Sequence, residues 1–185
     1  MPKKIEVRIC GYGGQGVVLA GQILGKAAVY DGKNALQTQS YGAEARGSLA
    51  RSEVIISDSQ IGFPAVRKCD ILVAMNQESL DKFLKDLKED GTLIVDSTNV
   101  EIVPPATKAK TFKIPATEIA KKAFGESIYA NMVMLGALTK ITKMVTEKSM
   151  ERAIKESVPE KTLKENLNAY RKGIAAVAID KSEKT

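Results

Sequence analysis

The chain has 185 residues, of which 44% are hydrophobic and 27% charged, and its formal net charge is +6. These values are typical of a globular protein and exclude a disordered or fibrous chain. Histidine is absent, which excludes a histidine-based zinc site, a Ser–His–Asp triad and an imidazole general base.

The remaining composition narrows the class of protein further. Cys10 and Cys69 are the two cysteines, too few for a four-thiolate iron–sulfur cluster. A start without a signal-like segment, and no apolar run of membrane-spanning length, favour a cytoplasmic protein that does not enter a membrane. The basic residues are scattered, aromatic residues make up 5%, and tryptophan is absent. We therefore expect no nucleic-acid binding.

The N-terminal segment predicts a strand, a helix and a second strand. Residues 5–10 alternate as in a strand, residues 16–30 have the apolar density of a helix packed on a sheet, and residues 33–39 form the second strand. Asp31 and Gly32 mark the end of the helix. Such a unit favours parallel pairing of its two strands.

Strands and helices continue along the rest of the chain. Further strands are predicted at residues 49–57, 71–75, 92–96 and 109–114. Helices are predicted at residues 64–68, 77–89 (ended by Gly91), 115–124, 129–145 and 147–158. A terminal helix has one apolar stripe for core or subunit packing, formed by Leu163, Leu167, Tyr170, Ile174 and Val177. The pattern predicts an α/β fold in a single domain over residues 1–185, with a mostly parallel sheet flanked by helices, a Rossmann-like N-terminal unit and a helical C-terminal third.

A glycine-rich turn follows the first predicted strand, where residues 11–16 match G-x-G-x-x-G. Glycines at this place permit a tight turn and close backbone approach, and the N-terminus of the next helix attracts an anion. The candidate binding residues are Gly11, Gly13, Gly14, Gln15 and Gly16. A dinucleotide site also needs a carboxylate at the end of the second strand, which residues 35–39 lack, and Asp31 precedes that strand. The turn therefore indicates either an anion site or tight packing of the helix under the sheet.

A second candidate segment, residues 40–53, follows the second strand. Loops after the strands of an open parallel sheet lie at its carboxyl edge, where ligands bind. The candidate binding residues here are Tyr41, Glu44, Arg46 and Arg51. Arg46 or Arg51 could clamp a carboxylate or phosphate, and the alternative is a salt-bridged surface loop.

Three other residues are weaker candidates. Asn131 lies near the start of an apolar helix and Asp96 ends a strand, and a capping or cross-linking role explains both better than ligand binding. Cys10 is expected to be a buried small residue. Because no complete set of acid, base and nucleophile is present, we expect no catalytic residue and no metal ligand in this chain.

The chain resembles the gamma subunit of 2-oxoacid:ferredoxin oxidoreductases over nearly its whole length. The resemblance is carried by residues 9–28 and 37–57, which contain the two candidate segments, and by residues 70–83, 131–138 and 166–173. The resemblance implies an enzyme that decarboxylates a 2-oxoacid, transfers the acyl group to coenzyme A (CoA) and reduces ferredoxin. It implies that alpha, beta and delta subunits hold thiamine diphosphate, magnesium and [4Fe–4S] clusters, and that this chain holds none of them alone. The gamma part would help to shape the CoA site. Ser48 and Ala43 depart from a glycine and a proline that are frequent in the family.

The resemblance is closest to the 2-oxoglutarate enzymes, although gamma parts of pyruvate, branched-chain 2-oxoacid and indolepyruvate enzymes are similar. It implies that the isolated chain is inactive. Two alternatives remain open: a free-standing nucleotide-binding or reductase protein, and a purely structural adaptor subunit.

Overall fold

A computed structural model describes residues 4–41, 48–104 and 108–180. The strands are β1 (Lys4–Tyr12), β2 (Asn34–Tyr41), β3 (Leu49–Ser57), β4 (Cys69–Ala74), β5 (Leu87–Asp96) and β6 (Lys110–Ile114). The helices are α1 (Val17–Tyr30), α2 (Gln77–Phe83), α3 (Ala116–Phe124), α4 (Ala130–Thr142), α5 (Glu147–Lys155) and α6 (Leu163–Asp180). The six strands form one sheet in the order β2-β3-β1-β4-β5-β6.

The predicted α/β class and the helical C-terminal region are confirmed. Strands β1, β4, β5 and β6 pair in parallel, so most of the sheet is parallel. One apolar cluster lies between the sheet and helices α1 and α3 to α6, and a second lies on the α2 side. The carboxyl ends of the four parallel strands therefore share one edge of the sheet.

The predicted direct pairing of the first two strands is wrong, because β3 lies between them and runs antiparallel to both. Residues 52–57 of β3 are all buried, as an interior strand requires, whereas no residue of β2 is fully buried. Arg8 of β1 lies opposite Glu53 of β3, and an ion pair of 2.6 Å between their side chains favours this register. The end of β2 and the start of β3 consequently lie at the carboxyl edge, beside the end of β1.

The helix predicted at residues 64–68 is absent. Pro64 permits a helix start, but a helix this short gains too few internal hydrogen bonds to form without tertiary support. The segment instead buries the Val66 side chain and offers the Val66 carbonyl oxygen to Arg8 Nη2 at 2.9 Å.

The predicted helix over residues 77–89 is too long. α2 ends at Phe83, and a 3₁₀ turn at Leu84–Asp86 leads directly into β5. The cause is tertiary, since the buried Leu87 pairs with Cys69 in the sheet. Gly91 lies inside β5 rather than at a helix end.

A close crossing of α4 and α6 organises the C-terminal region. A Cβ atom at Gly136 would lie 2.0 Å from the Tyr170 carbonyl oxygen, and one at Gly173 would lie 1.9 Å from the Val133 carbonyl oxygen. Neither position can therefore carry a side chain without separating the helices. The predicted stripe of α6 packs into the core through Leu167, Tyr170, Ile174 and Val177.

Candidate functional site

The glycine turn lies at the carboxyl edge of the sheet, between the end of β1 and the start of α1. Gly14 and Gly16 have φ angles of 97° and 72°, which L-residues with side chains rarely adopt. Gly13 and Gly14 are exposed, and a Cβ atom at Gly14 would meet no atom within 4 Å. The turn thus presents bare backbone to solvent beside the N-terminus of α1, where the first N–H groups lack partners within the helix.

Gln15 points into the protein rather than toward solvent. Its Oε1 accepts hydrogen bonds from the Tyr12 N–H at 2.7 Å and Asn76 Nδ2 at 2.9 Å, and its Nε2 donates to the Met75 carbonyl oxygen at 3.3 Å. Asn76 also caps α2 by accepting from the Ser79 N–H at 2.8 Å. The Gln15 amide therefore ties the glycine turn to the turn that follows β4.

Asn131 holds the turn from the other side. It is 4% exposed, and its Nδ2 donates to the Gly16 carbonyl oxygen at 3.2 Å. Its Oδ1 accepts from the Met132 N–H at 2.8 Å, so both ends of the amide are engaged. The cross-linking interpretation of Asn131 is supported, and the cross-link joins the start of α4 to the start of α1.

Gly11 permits close packing beneath the turn. A Cβ atom there would lie 2.6 Å from Gln15 Oε1 and 3.1 Å from both Met75 Cβ and Val17 Cγ1. The first glycine of the motif is therefore required by packing between β1, β4 and α1, rather than by exposure to a ligand.

The two candidate segments meet at the glycine turn. The Gly13 N–H donates to the Ser48 carbonyl oxygen at 2.9 Å, just before β3 begins. Tyr41 ends β2 with 59% of its surface exposed. Glu44 and Arg46 lie outside the described residues. The loop that would carry them starts and ends at the same edge as the glycine turn.

Arg51 lies on the α2 side of the sheet, opposite α1. Its guanidinium stands 5.5 Å from the centre of the Phe83 ring, and its Nε lies 3.6 Å from Glu53 Oε1. Its side chain is 39% exposed. Arg51 is thus engaged by neighbours within the chain, and the structure does not bring it onto the exposed face of the turn.

A buried ion-pair network lies below Arg51 and is not predicted from the sequence. Arg8 is 3% exposed and donates from Nε and Nη2 to Glu53 Oε1 at 3.0 and 2.6 Å. Its Nη1 bonds to Asp86, and its guanidinium stands 5.3 Å from the centre of the Phe83 ring. The network links β1, β3 and the turn after α2, and it is far too enclosed to receive a ligand. An arginine in the middle of the first predicted strand, residues 5–10, is the sequence signal that could have pointed to a buried partner.

Asp96, Cys10 and Cys69 are all buried inside the protein. The fully buried Asp96 carboxylate accepts from Thr117 Oγ1 at 2.6 Å and Asn99 Nδ2 at 2.9 Å, which joins the end of β5 to α3. Burial raises the pKa of both the Cys10 and the Cys69 thiol to about 12. The predicted buried role of Cys10 is therefore supported.

The described ranges 4–41, 48–104 and 108–180 contain neither a metal-binding cluster nor a membrane-spanning helix. No cluster of three or more His, Cys, Asp or Glu side chains there has an arrangement suited to a metal ion. None of the helices in these ranges combines the length and apolar character needed to cross a bilayer.

Known proteins resemble this chain along most of its length. Residues 6–176 match the family described as pyruvate ferredoxin/flavodoxin oxidoreductase. The 2-oxoglutarate synthase subunit KorC of Methanocaldococcus jannaschii is 51% identical over 170 residues, which cover 91% of each chain. The pyruvate synthase subunit PorC of Methanothermobacter marburgensis is 35% identical over 170 residues, covering 90% of this chain and 94% of that protein.

Solved structures agree with these sequence relationships. The gamma subunit of a keto/oxoacid ferredoxin oxidoreductase from Geobacter sulfurreducens superposes with a TM-score of 0.84 at 43% identity. The match covers 95% of this chain and 99% of the Geobacter chain. The resemblance predicted from the sequence motifs is confirmed. The chain belongs to the pyruvate ferredoxin/flavodoxin oxidoreductase family, as a gamma-type subunit of a multi-subunit 2-oxoacid:ferredoxin oxidoreductase.

Proposed function

We propose that this chain is the gamma subunit of a cytoplasmic enzyme that oxidises 2-oxoglutarate to succinyl-CoA and reduces ferredoxin. The observation that supports the substrate is the identity to relatives, 51% to a 2-oxoglutarate synthase subunit against 35% to a pyruvate synthase subunit. Alpha, beta and delta subunits would complete the enzyme. They would hold thiamine diphosphate, magnesium and the [4Fe–4S] clusters. The two cysteines of this chain are too few for a four-thiolate cluster.

We further propose that the glycine turn and the loop after β2 contribute to the CoA site. CoA supplies the thiol that accepts the acyl group, and its phosphates are the groups that this chain would bind. The exposed backbone at Gly13 and Gly14, next to the N-terminus of α1, suits a phosphate. Arg46, in the loop that follows β2, would add a charge-assisted hydrogen bond to a phosphate, and Tyr41 and Glu44 are further candidates from the same segment.

The motif residues would then divide into two roles. Gly13 and Gly14 would approach the ligand, whereas Gly11, Gln15 and Gly16 would hold the turn in shape through contacts with Met75, Asn76 and Asn131. Arg51 would act through its positive charge near the carboxyl edge of the sheet rather than by contact with CoA. No residue of this chain would take part in the chemical steps.

The test uses the assembled enzyme, produced by co-expression of all its subunits. The wild-type complex is assayed for CoA-dependent ferredoxin reduction with 2-oxoglutarate, pyruvate, 2-oxoisovalerate and indolepyruvate. We expect the highest kcat/KM with 2-oxoglutarate. A higher value with another 2-oxoacid would overturn the substrate assignment and leave the subunit assignment intact.

The CoA site is tested separately with Arg46→Gln and, as the matched control, the exposed Arg67→Gln. Because Arg46→Gln removes a charge-assisted hydrogen bond, we expect it to raise the KM for CoA about tenfold or more and to leave the KM for the 2-oxoacid unchanged. Arg67→Gln should leave both values unchanged. If Arg46→Gln alters subunit recovery but not the KM for CoA, the segment acts as a structural adaptor instead.

A further inference from the structure

The sheet ends in two edge strands, β6 and β2, and they differ in how they are protected from pairing with a further strand. Strand β6 at one edge has five residues, two of which are Lys110 and Lys113. Strand β2 at the other edge has eight residues, from Asn34 to Tyr41, without a charge or a proline. Its register with β3 is unbroken along that length. Short length, lysine, proline and bulges are the features that prevent an edge from pairing with another strand, and β2 has none of them.

The outer side of β2 is an available template for a further strand. Within the described part of the chain, β3 is its sole pairing partner. Its residues are half-buried or exposed, and the last three are exposed. Since alternate N–H and C=O groups of an edge strand point outward, β2 offers a row of hydrogen-bonding groups that a partner strand would satisfy.

A glycine in the neighbouring helix α1 also indicates a contact surface beside β2. Glycine in the interior of a helix is unfavourable relative to alanine, so each one calls for a reason. At Gly21 the reason is internal, because a Cβ atom would lie 2.0 Å from Ser52 Oγ. At Gly25 a Cβ atom would meet nothing within 4 Å, although its φ is that of an ordinary helix. The described structure therefore contains no contact that requires glycine at position 25.

Gly25 lines a groove of about 380 Å³ between α1 and β2. Gln22 and Val29 of α1 and Ala35 and Gln37 of β2 also line it, and Val29 is 54% exposed. Lys26 is the charged residue of the lining, and its exposed ammonium donates a hydrogen bond to Ser157 Oγ at 3.0 Å. Apart from Lys26, the groove therefore offers apolar and uncharged polar surface directly beside β2.

We propose that β2 receives an added strand from another subunit of the enzyme, an extended and uncharged segment that places an apolar side chain in the groove against Gly25. An uncharged segment matches β2, because the strand itself carries no charge and a charged side chain opposite it would lose hydration without gaining a partner on the strand. The strand geometry follows from the row of backbone groups, and the glycine allows the partner side chain to approach the backbone of α1. The source is another subunit, because the chain belongs to a family of multi-subunit enzymes. The inference is independent of the CoA site.

Amide hydrogen exchange tests this proposal directly. Exchange in the peptides covering β2 is compared between the isolated full chain and the assembled enzyme, with the β6 peptide as an internal reference. We expect about half of the β2 amides to exchange at least tenfold more slowly in the assembly, because alternate N–H groups gain partners. Equal exchange of β2 in the two samples would overturn the proposal. Protection of β2 in an isolated chain that proves dimeric would also overturn it, in favour of pairing between two copies.

Substitution at position 25 provides the second test. The Cβ atom of Gly25→Leu would meet no atom within 4 Å, and the longer side chain would extend into the groove. The circular dichroism spectrum of the isolated chain should therefore be unchanged, and its affinity for the other subunits should be at least tenfold weaker. Ala175→Leu, on the exposed face of α6, is the matched control and should assemble normally. If a folded Gly25→Leu chain bound the other subunits with wild-type affinity, this would contradict the proposal that a partner side chain lies in the groove.

Discussion

Asn131 and Gly16 lie 115 residues apart in the chain, yet the Asn131 amide occupies the space that a side chain at Gly16 would need. The Asn131 Nδ2 donates to the Gly16 carbonyl oxygen at 3.2 Å, and a Cβ atom at Gly16 would lie 2.3 Å from that same nitrogen. Helix α4 therefore helps to fix the shape of the glycine turn through the Asn131 side chain.

The first prediction concerns Gly16→Ala. Its Cβ would displace the Asn131 amide and would also force a φ of 72° on alanine, so the free energy of unfolding should fall by about 2 kcal/mol or more. Chemical denaturation of the full chain measures this change.

Gly14→Ala is the control for backbone strain alone. Position 14 also has a positive φ, of 97°, but a Cβ atom there meets no neighbour. It should cost about 1 kcal/mol. Equal losses at positions 14 and 16 would mean that the Asn131 contact contributes nothing.

The second prediction concerns acid stability and Asp31. The Asp31 carboxylate, at the end of α1, accepts from the Thr146 N–H at 2.6 Å, Thr146 Oγ1 at 2.7 Å and Ser149 Oγ at 2.6 Å. Burial acts to raise the pKa of Asp31, but these hydrogen bonds and the nearby Lys33 outweigh it and lower the pKa below 3.8. Because the folded-state pKa is depressed, the stabilisation is fully present above the unfolded pKa and is lost as the pH falls through the folded value.

Asp31→Asn removes the titrating group and should make the free energy of unfolding less dependent on pH below about pH 4. Urea denaturation at a series of acidic pH values measures the slope. Asp90→Asn, at an exposed position, should leave the wild-type slope unchanged. A slope that is the same in Asp31→Asn and wild type would show that the contacts with α5 do not depend on the charge.

The order of the strands shows where prediction from the sequence ends. The two strands of the N-terminal unit are predicted from their local sequence, and the helix end at Asp31 follows from local turn chemistry. The position of β3 between β1 and β2 depends on contacts such as Arg8 with Glu53, 45 residues apart, which local patterns do not encode.

In the candidate site too, local features are predicted from the sequence and tertiary contacts are not. The glycine turn and its location after β1 are predicted, because the motif is continuous in sequence. The inward direction of Gln15 is not, because its partner Asn76 is 61 residues away and belongs to another turn. Amide side chains beside a glycine motif bind a ligand or a neighbouring turn equally well, and tertiary structure decides between them.

The third prediction concerns the two thiols. Burial raises the pKa of Cys10 and of Cys69 to about 12, and the lowering effect of the nearby Arg8 is smaller than that of burial. At pH 8 both are therefore protonated as well as enclosed, and a thiolate is the reactive form. The native chain should show almost no reaction with a disulfide reagent, and two thiols should react in denaturant. Rapid labelling of either cysteine in the native chain would contradict its buried environment.

The fourth prediction concerns the buried Arg8–Glu53 pair. Arg8→Met leaves the Glu53 carboxylate, 8% exposed, without its main partner, and removing one member of a buried ion pair costs about 3–5 kcal/mol. Replacement of both members by apolar residues is often nearly neutral, because neither charge then remains buried. The double variant Arg8→Met with Glu53→Met should therefore recover at least half of the stability lost in Arg8→Met, as measured by urea denaturation.

Lys122→Met is the control for this experiment, because Lys122 pairs with Glu118 on the exposed surface of α3. Its loss should cost no more than about 0.5 kcal/mol. If Arg8→Met cost as little as the control, the network would contribute no more than a surface pair. If the double variant were as unstable as the single one, packing by the Arg8 side chain against Phe83 would be the contribution that matters, since that contact is absent from both variants.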